Sequence, residues 1–208
     1  MKLDRAGRPI ADHAWRKGRE PANKGKRYPP APPSRAEILR AAGRLDDETP
    51  QGLRAGALIA LLWRGGLAIT EALALMASDV KIAPDDEEAW VRIHGRRGKS
   101  KYANRIVTLD EWGTEWLHGW LDVRADLPPG PVLCILRGPT AGQAWGTAGA
   151  RAELKQLGEQ AGVQRLLPQQ LRYAYVVERV ARGYTPQQIR EALGTDRWAK
   201  IPGVESRE

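Results

Sequence analysis

The hydrophobic period changes twice along this chain. From Leu53 to Leu62, apolar residues recur at the three- and four-residue spacing of a buried helical face. Between residues 80 and 109 they alternate with polar neighbours, as in half-buried strands. Helical spacing returns between Asp110 and Gly194. The pattern therefore predicts an α+β, mainly α fold: a helical domain that contains a small three-stranded antiparallel sheet.

Start and stop signals divide the helical parts into separate helices. Ser34 and Glu37 have the spacing of a capping box, and Thr49 followed by Pro50 is a typical N-cap and first-turn pair. A pair of glycines beginning at Gly65 is expected to end the second helix. The same signals predict later helices at Thr70 to about Ala77, from Asp110, Trp145 to about Gln160, Pro168 to Gly183 and Thr185 to Gly194.

The helix after Asp110 carries an aromatic and leucine stripe at helical spacing, which predicts core packing rather than a binding platform. Its members are Trp112, Trp116, Leu117, Trp120 and Leu121. Three short apolar runs predict the strands: Val80–Ile82, Trp90–Ile93 and Ile106–Leu109. The second connection between them, GRRGKSKYAN, is long and strongly basic. Residues 131–137 are expected to form a further short extended segment.

Composition divides the chain into a basic arm, a domain and a tail. The net charge is +8 and the isoelectric point about 9.9, which favours polyanionic partners. Residues 1–40 hold eleven Lys and Arg against four Asp and Glu. We expect residues 1–33 to be a disordered, Pro/Gly-rich arm that either follows DNA phosphates or serves as a solubilising tail. Residues 34–200 form the predicted domain, and residues 201–208 are expected to fray.

Several classes of protein are disfavoured. Cys134 is the single cysteine and the three histidines are far apart in the sequence, so we expect no metal site and no cofactor. No apolar stretch reaches the ~18 residues of a membrane span. The N-terminus lacks the apolar core of a secretory signal, so we expect a cytoplasmic protein.

Five segments follow one another along the sequence: ANKGKRYPPAPPSRAEI, TPQGLRAGALIALLWRGGLAITEALALMASDV, HGRRGKSKYANRIVTLD, LLPQQLRYAYVVERVARG and YTPQQIREALG. Together they resemble the catalytic domain of tyrosine recombinases, the phage integrase family, and the match covers roughly residues 24–204. The resemblance implies a catalytic-domain fold whose basic hairpin faces DNA. It also implies integrase chemistry and a mobile-element origin.

In this family a tyrosine hydroxyl attacks a DNA phosphodiester and leaves a 3′-phosphotyrosyl link. Two arginines stabilise charge on the phosphate oxygens, because a guanidinium is planar and always protonated. A hairpin lysine protonates the leaving 5′-oxygen, and histidines assist. The covalent link conserves the bond energy, so the chemistry needs neither a nucleotide nor a metal.

Carried onto this sequence, the catalytic set is depleted. The first arginine falls on Ala68, the histidine of the His-x-x-Arg pattern on Gln169, and the later histidine on Thr195. The nucleophile falls on Val204, and the sequence has no tyrosine after Tyr184. The resemblance therefore implies a degenerate member that does not cut DNA.

A few family positions are retained. The second arginine is Arg172, and the acidic residue near the first arginine is Glu71. The hairpin lysine corresponds to Lys99, although alignment from the left gives Arg96 instead and Lys101 is also in reach. The catalytic remnants are thus Arg172 and Lys99.

Residues expected to contact DNA come from the hairpin, the helix after Pro168 and the arm: Arg96, Arg97, Lys99, Lys101, Arg172, Lys24, Lys26 and Arg27. Two alternatives stay open at this point. Arg172 either contacts a phosphate or forms an ion pair with Glu71 or Glu178, and the hairpin cations either face DNA or form a solvated tip. Tyr173 and Tyr175 are interpreted as packing residues rather than replacement nucleophiles.

The sequence thus predicts a non-cleaving protein, a pseudoenzyme that binds double-stranded DNA. It would act as a relic, a regulator or a partner of an active recombinase, or associate with itself. Two alternatives remain: an active or trans-complemented recombinase, and a scaffold with no role on DNA.

Overall fold

The computed structural model describes residues 31–85, 87–95 and 102–195. Within these residues the chain forms seven α-helices: α1 (Arg35–Ala42), α2 (Pro50–Ile59), α3 (Ile69–Ala72), α4 (Glu111–Ala125), α5 (Thr147–Gln160), α6 (Pro168–Ala181) and α7 (Pro186–Leu193). Three strands lie between α3 and α4: β1 (Val80–Ile82), β2 (Ala89–Ile93) and β3 (Arg105–Leu109). The mainly helical α+β fold with one small sheet is therefore confirmed.

Local capping explains where the helices begin. The Ser34 side chain accepts from the Glu37 amide, and the Glu37 carboxylate accepts from the Ser34 amide, which completes the predicted capping box of α1. The Thr49 hydroxyl caps α2, with Pro50 at the first helical position. Asp110 caps α4 by accepting from the Gly113 amide.

The second helix departs from the sequence prediction near its end. Its last turn is a π-helix, Ala60–Arg64, before the chain leaves at Gly65. The Gly65 amide donates to the Ala60 carbonyl at 3.1 Å, so this turn is one residue wider than an α-turn. All five residues of the π-turn are buried, and α4 and α6 pack against it.

The sheet is a β1-β2-β3 meander in which both pairs are antiparallel. Val91 of β2 pairs with Val80 on one side and Val107 on the other. Burial alternates along β2, and on β3 the side chains of Arg105, Val107 and Leu109 share the inward face. This register turns the start of β3 toward α3 and α7.

The tryptophan stripe of α4 is divided between core and surface. Leu117 and Trp120 are fully buried, as predicted, and the Trp120 indole donates to the Val132 carbonyl at 2.9 Å. Trp112 and Trp116 are only half-buried. Gly56 admits the Trp116 ring, because a Cβ at that position would lie 1.9 Å from the ring.

The connection between α4 and α5 forms no regular strand. Two isolated bridges, Met76 with Pro131 and Cys134 with Ala144, replace the extended segment expected over residues 131–137. Cys134 itself is buried. Among the described residues, no helix combines the length and apolar character needed to cross a membrane.

Candidate functional site

Glu71 on α3 is the centre of an ion-pair cluster that joins four elements. Its Oε1 accepts from Arg105 Nη1 at 2.9 Å, and its Oε2 accepts from Arg105 Nη2 at 3.0 Å. The same Oε2 accepts from Arg172 Nη1 on α6 at 3.2 Å and from the Ala68 amide at 2.7 Å. One carboxylate thus binds two guanidinium groups, and we call Glu71, Arg105 and Arg172 the arginine cluster.

Both arginines also hold the end of α7. Arg105 Nε donates to the Ala192 carbonyl at 2.8 Å, and Arg172 Nη2 donates to the Leu193 carbonyl at 2.6 Å. Carbonyls in the last turn of a helix lack helical partners and carry partial negative charge, so cations stabilise them. Gly194 then ends α7 in the left-handed region, at φ +66°.

The pKa values of the cluster reflect burial and mutual charge. Burial alone raises the pKa of Glu71, but the hydrogen bonds from Arg105 and Ala68 and the charges of both arginines hold that pKa below its ordinary value. Burial lowers the pKa of Arg172, Glu71 opposes this change, and the like charge of Arg105 adds to it. Guanidinium groups stay protonated even so, and the cluster carries one net positive charge.

A pocket of about 330 Å³ lies beside the arginine cluster. Its lining includes Ala68, Thr70, Arg172, Gly194 and Thr195. The Arg172 side chain keeps 19% of its surface exposed, so a ligand in the pocket can reach it.

The Asp79–His94 pair lies on another part of the pocket lining. His94 Nε2 lies 2.7 Å from Asp79 Oδ1, and the Met76 amide donates to the other carboxylate oxygen of Asp79. His94 directly follows β2, and the next residue, Gly95, donates to the Asn104 side chain at 2.8 Å. Sequence reasoning did not identify this pair, because fifteen residues separate its members.

Two carboxylates were considered as partners of Arg172, Glu71 and Glu178. In the structure the Arg172 guanidinium donates to Glu71. Glu178 instead accepts from Arg64 at 2.8 Å and from the Trp63 indole at 2.8 Å. Among the described residues, no group of three or more His, Cys, Asp or Glu side chains could hold a metal ion.

The sequence matches the phage integrase family over residues 36–200, from the first turn of α1 to beyond the end of α7. The chain belongs to the phage integrase family.

Individual relatives agree with this assignment. The chain is 24% identical over 152 residues to tyrosine recombinase XerC of Vibrio parahaemolyticus, which covers 72% of this chain and 46% of that protein. A crystal structure of XerA recombinase matches with a TM-score of 0.65 at 22% identity, over 81% of this chain and 57% of the other. XerH recombinase bound to its difH substrate, in a pre-cleavage complex, matches with a TM-score of 0.67 at 20% identity, over 81% and 48%. The chain spans about half the length of these relatives, and the structural likeness at such identities shows a shared fold.

The pocket brings together four positions that the integrase resemblance singles out: Ala68, Glu71, Arg172 and Thr195. Gln169 is not among its lining residues. Its side chain is exposed and donates to the Tyr173 hydroxyl at 2.6 Å, one turn along α6. Tyr175 is buried against Gly66 and beside Arg179, in agreement with a packing role for this residue in an integrase fold.

Several residues singled out from the integrase resemblance lie outside the described residues. They are Arg96, Arg97, Lys99 and Lys101 of the hairpin loop, Lys24, Lys26 and Arg27 of the arm, and Val204.

Arg105 is the member of the arginine cluster that sequence reasoning missed. The period-two alternation of β3 could have identified Arg105 as an inward-facing residue, since it occupies the same face as Val107 and Leu109. A cation at an inward strand position needs a buried carboxylate, and Glu71 supplies it.

Proposed function

We propose that this chain is a DNA-binding member of the phage integrase family that does not cleave DNA. It would act in the cytoplasm as a relic, a regulator or a partner of an active recombinase, with double-stranded DNA as its ligand. The DNA-bound XerH structure supports a nucleic-acid ligand for this fold. The positive net charge of the chain and the basic composition of residues 1–33 and 95–104 favour the same class of ligand.

The proposed loss of cleavage rests on one observation: the pocket that Arg172 lines is also lined by Ala68 and Thr195. By the integrase resemblance, their methyl and hydroxyl groups would take the places of a guanidinium and an imidazole. Loss of one transition-state donor typically lowers a rate by about 10²–10³. The family spacing also puts Val204, which has no nucleophilic atom, at the position of the attacking tyrosine.

The arginine cluster supports phosphate binding without chemistry. Arg172 shares Glu71 with Arg105, so the two guanidinium groups are not both neutralised by that carboxylate. The exposed part of Arg172 faces a pocket of about 330 Å³, and a phosphodiester carries the single negative charge that balances the cluster.

Cleavage is tested with supercoiled plasmid and with suicide substrates, nicked duplexes that trap a covalent intermediate. We expect no protein–DNA adduct and no relaxed product at any protein concentration. A denaturation-resistant adduct would overturn the proposal and favour the alternative of an active recombinase. If labelled phosphate passes to the chain only when an active recombinase is added, the chain is a trans-complemented recombinase.

Binding is tested by fluorescence anisotropy on duplex DNA between 50 and 200 mM salt. With ~6 phosphate contacts, affinity is expected to fall by about 10³ over this range. Arg172→Gln is expected to weaken binding, whereas Arg44→Gln, an exposed arginine that is not part of the pocket, serves as the matched control. Affinity that does not depend on salt would favour a scaffold without a role on DNA. Equal affinity of both variants and the parent would mean that Arg172 does not contact the DNA.

The arm is tested separately, because its role is a proposal that rests on composition. Removal of residues 1–33 is expected to lower affinity uniformly across DNA sequences and to flatten the salt dependence. If both quantities stay unchanged, the arm is a solubilising tail.

A further inference from the structure

A second concave surface lies between α1, the start of α2 and α4. It has a volume of about 640 Å³ and shares no lining residue with the pocket beside the arginine cluster. We call it the tryptophan groove, and its lining comprises Leu39, Ala42, Gly43, Asp47, Glu48, Leu53, Trp112, Glu115, Trp116 and Gly119.

The tryptophan groove combines apolar walls with negative charge. Trp112 and Trp116 are half-buried, and 36% of the Leu39 surface is exposed. Three carboxylates line the groove, those of Asp47, Glu48 and Glu115, and its lining contains no lysine or arginine. All three carboxylate residues are exposed. This composition is unexpected on a chain of net charge +8, and it disfavours nucleic acid as the occupant because phosphates would be repelled.

The aromatic rings of the groove are suited to cations. Two other tryptophans of this fold are covered by arginines: Arg54 lies 3.7 Å from the Trp145 ring centroid, and Arg64 lies 4.6 Å from that of Trp63. Trp112 and Trp116 contact each other at 6.3 Å between centroids. Within the part of the chain that the structure describes, no arginine is stacked on either ring.

We propose that the tryptophan groove binds a cationic segment of a protein partner. Arginine or lysine side chains of that segment lie over Trp112 and Trp116, and their charges pair with Glu48 and Glu115. Apolar side chains between the cations cover Leu39 and Leu53. The groove shares no lining residue with the pocket beside the arginine cluster, so we expect the two to bind their ligands independently. This inference does not rest on the proposed function.

The test uses the full-length protein and a fluorescein-labelled synthetic peptide that alternates arginine and leucine. A peptide with glutamate in place of arginine controls for apolar binding. The double variant Glu48→Gln, Glu115→Gln removes two charges of the groove. Glu87→Gln, Glu88→Gln removes two exposed charges from the β1–β2 connection and is the matched control. All four side chains are exposed, so both variants are expected to keep the fold.

We expect the arginine peptide to bind the parent and the control variant alike, and the groove variant about threefold to tenfold more weakly. DNA affinity of the groove variant is expected not to fall. Equal peptide affinity for both variants, or equal binding of the glutamate peptide, would overturn the proposal. Self-association of the parent that the groove variant abolishes would also overturn it, since the groove would then bind a second copy.

Discussion

Arg105 and Glu71 are joined by two parallel hydrogen bonds, with Nη1 to Oε1 at 2.9 Å and Nη2 to Oε2 at 3.0 Å. The pair is largely shielded from solvent, with 7% of the Arg105 side chain and 23% of the Glu71 side chain exposed. It connects the first residue of β3 to α3, and through Ala192 to the end of α7.

Arg105→Gln is expected to lower the free energy of unfolding by about 3 kcal/mol, because Glu71 would keep its buried charge with one arginine fewer. Arg92→Gln on the adjacent strand is the control. Arg92 is exposed, so its replacement should change stability by less than ~0.5 kcal/mol. Urea denaturation measures both, and equal stabilities of the two variants would contradict a structural role for the pair.

Ala68→Arg is expected to strengthen DNA binding about tenfold without restoring cleavage. The new guanidinium would enter the pocket beside Arg172 and add one charge-assisted contact to a phosphate. The dependence of log affinity on log salt should steepen by about 0.9. Ala68→Gln adds length without charge and should leave the salt slope unchanged. Anisotropy titrations check both variants, and a slope that does not change in Ala68→Arg would argue against a phosphate in this pocket.

Gly194→Ala is expected to destabilise the protein more than Gly162→Ala. Both glycines lie in the left-handed region, at φ +66° and +64°, so the backbone strain of about 1 kcal/mol is shared. A Cβ at Gly194 would lie 2.2 Å from Arg105 Nη1, whereas a Cβ at Gly162 meets nothing within 4 Å. Because Glu71 and Ala192 hold the Arg105 guanidinium, it has no free direction in which to move. Thermal unfolding measures the difference, and equal melting temperatures would refute this packing argument.

Stability should fall as the pH is lowered through the range where Glu71 takes up a proton. The folded pKa of Glu71 lies below its unfolded value of about 4.3, so the folded state binds this proton more weakly than the unfolded state. Its contribution is therefore present above the unfolded pKa and lost progressively as the pH falls below it. Melting temperatures of Glu71→Gln should vary less between pH 5 and 3 than those of the parent. An unchanged pH dependence would mean that the cluster does not stabilise the ionised carboxylate.

The helices and strands were largely predictable because their signals are local. Ser34 and Thr49 cap helices through bonds to residues only three positions away. Buried and exposed positions alternate along β2 and β3, and Val91 and Val107 are buried positions of this pattern. The π-turn at Ala60–Arg64 was not predicted, since its extra residue depends on packing against α4 and α6. Tertiary contacts of this kind do not change the spacing of apolar residues in the sequence.

The candidate site was predictable in part. The resemblance pointed to Arg172 and Glu71, and the structure brings their side chains together. The resemblance gave no reason to single out Arg105 or the Asp79–His94 pair. Arg105 faces inward because of the register of β3, and Asp79 and His94 meet only in the folded structure. The sequence also did not indicate which residues of α4 are buried and which line the groove. Trp112 and Trp120 follow the same helical spacing, but Trp112 is half-buried and Trp120 is buried.

The hydrogen bond from Arg172 to the Leu193 carbonyl has an evolutionary consequence. An arginine that anchors the end of a helix is retained by selection for a folded protein, whether or not it ever touches a substrate. Its survival in a homologous gene is therefore no marker of strand exchange. In surveys of such genes, positions 68 and 195, where this chain has the uncharged side chains of Ala68 and Thr195, are the informative ones.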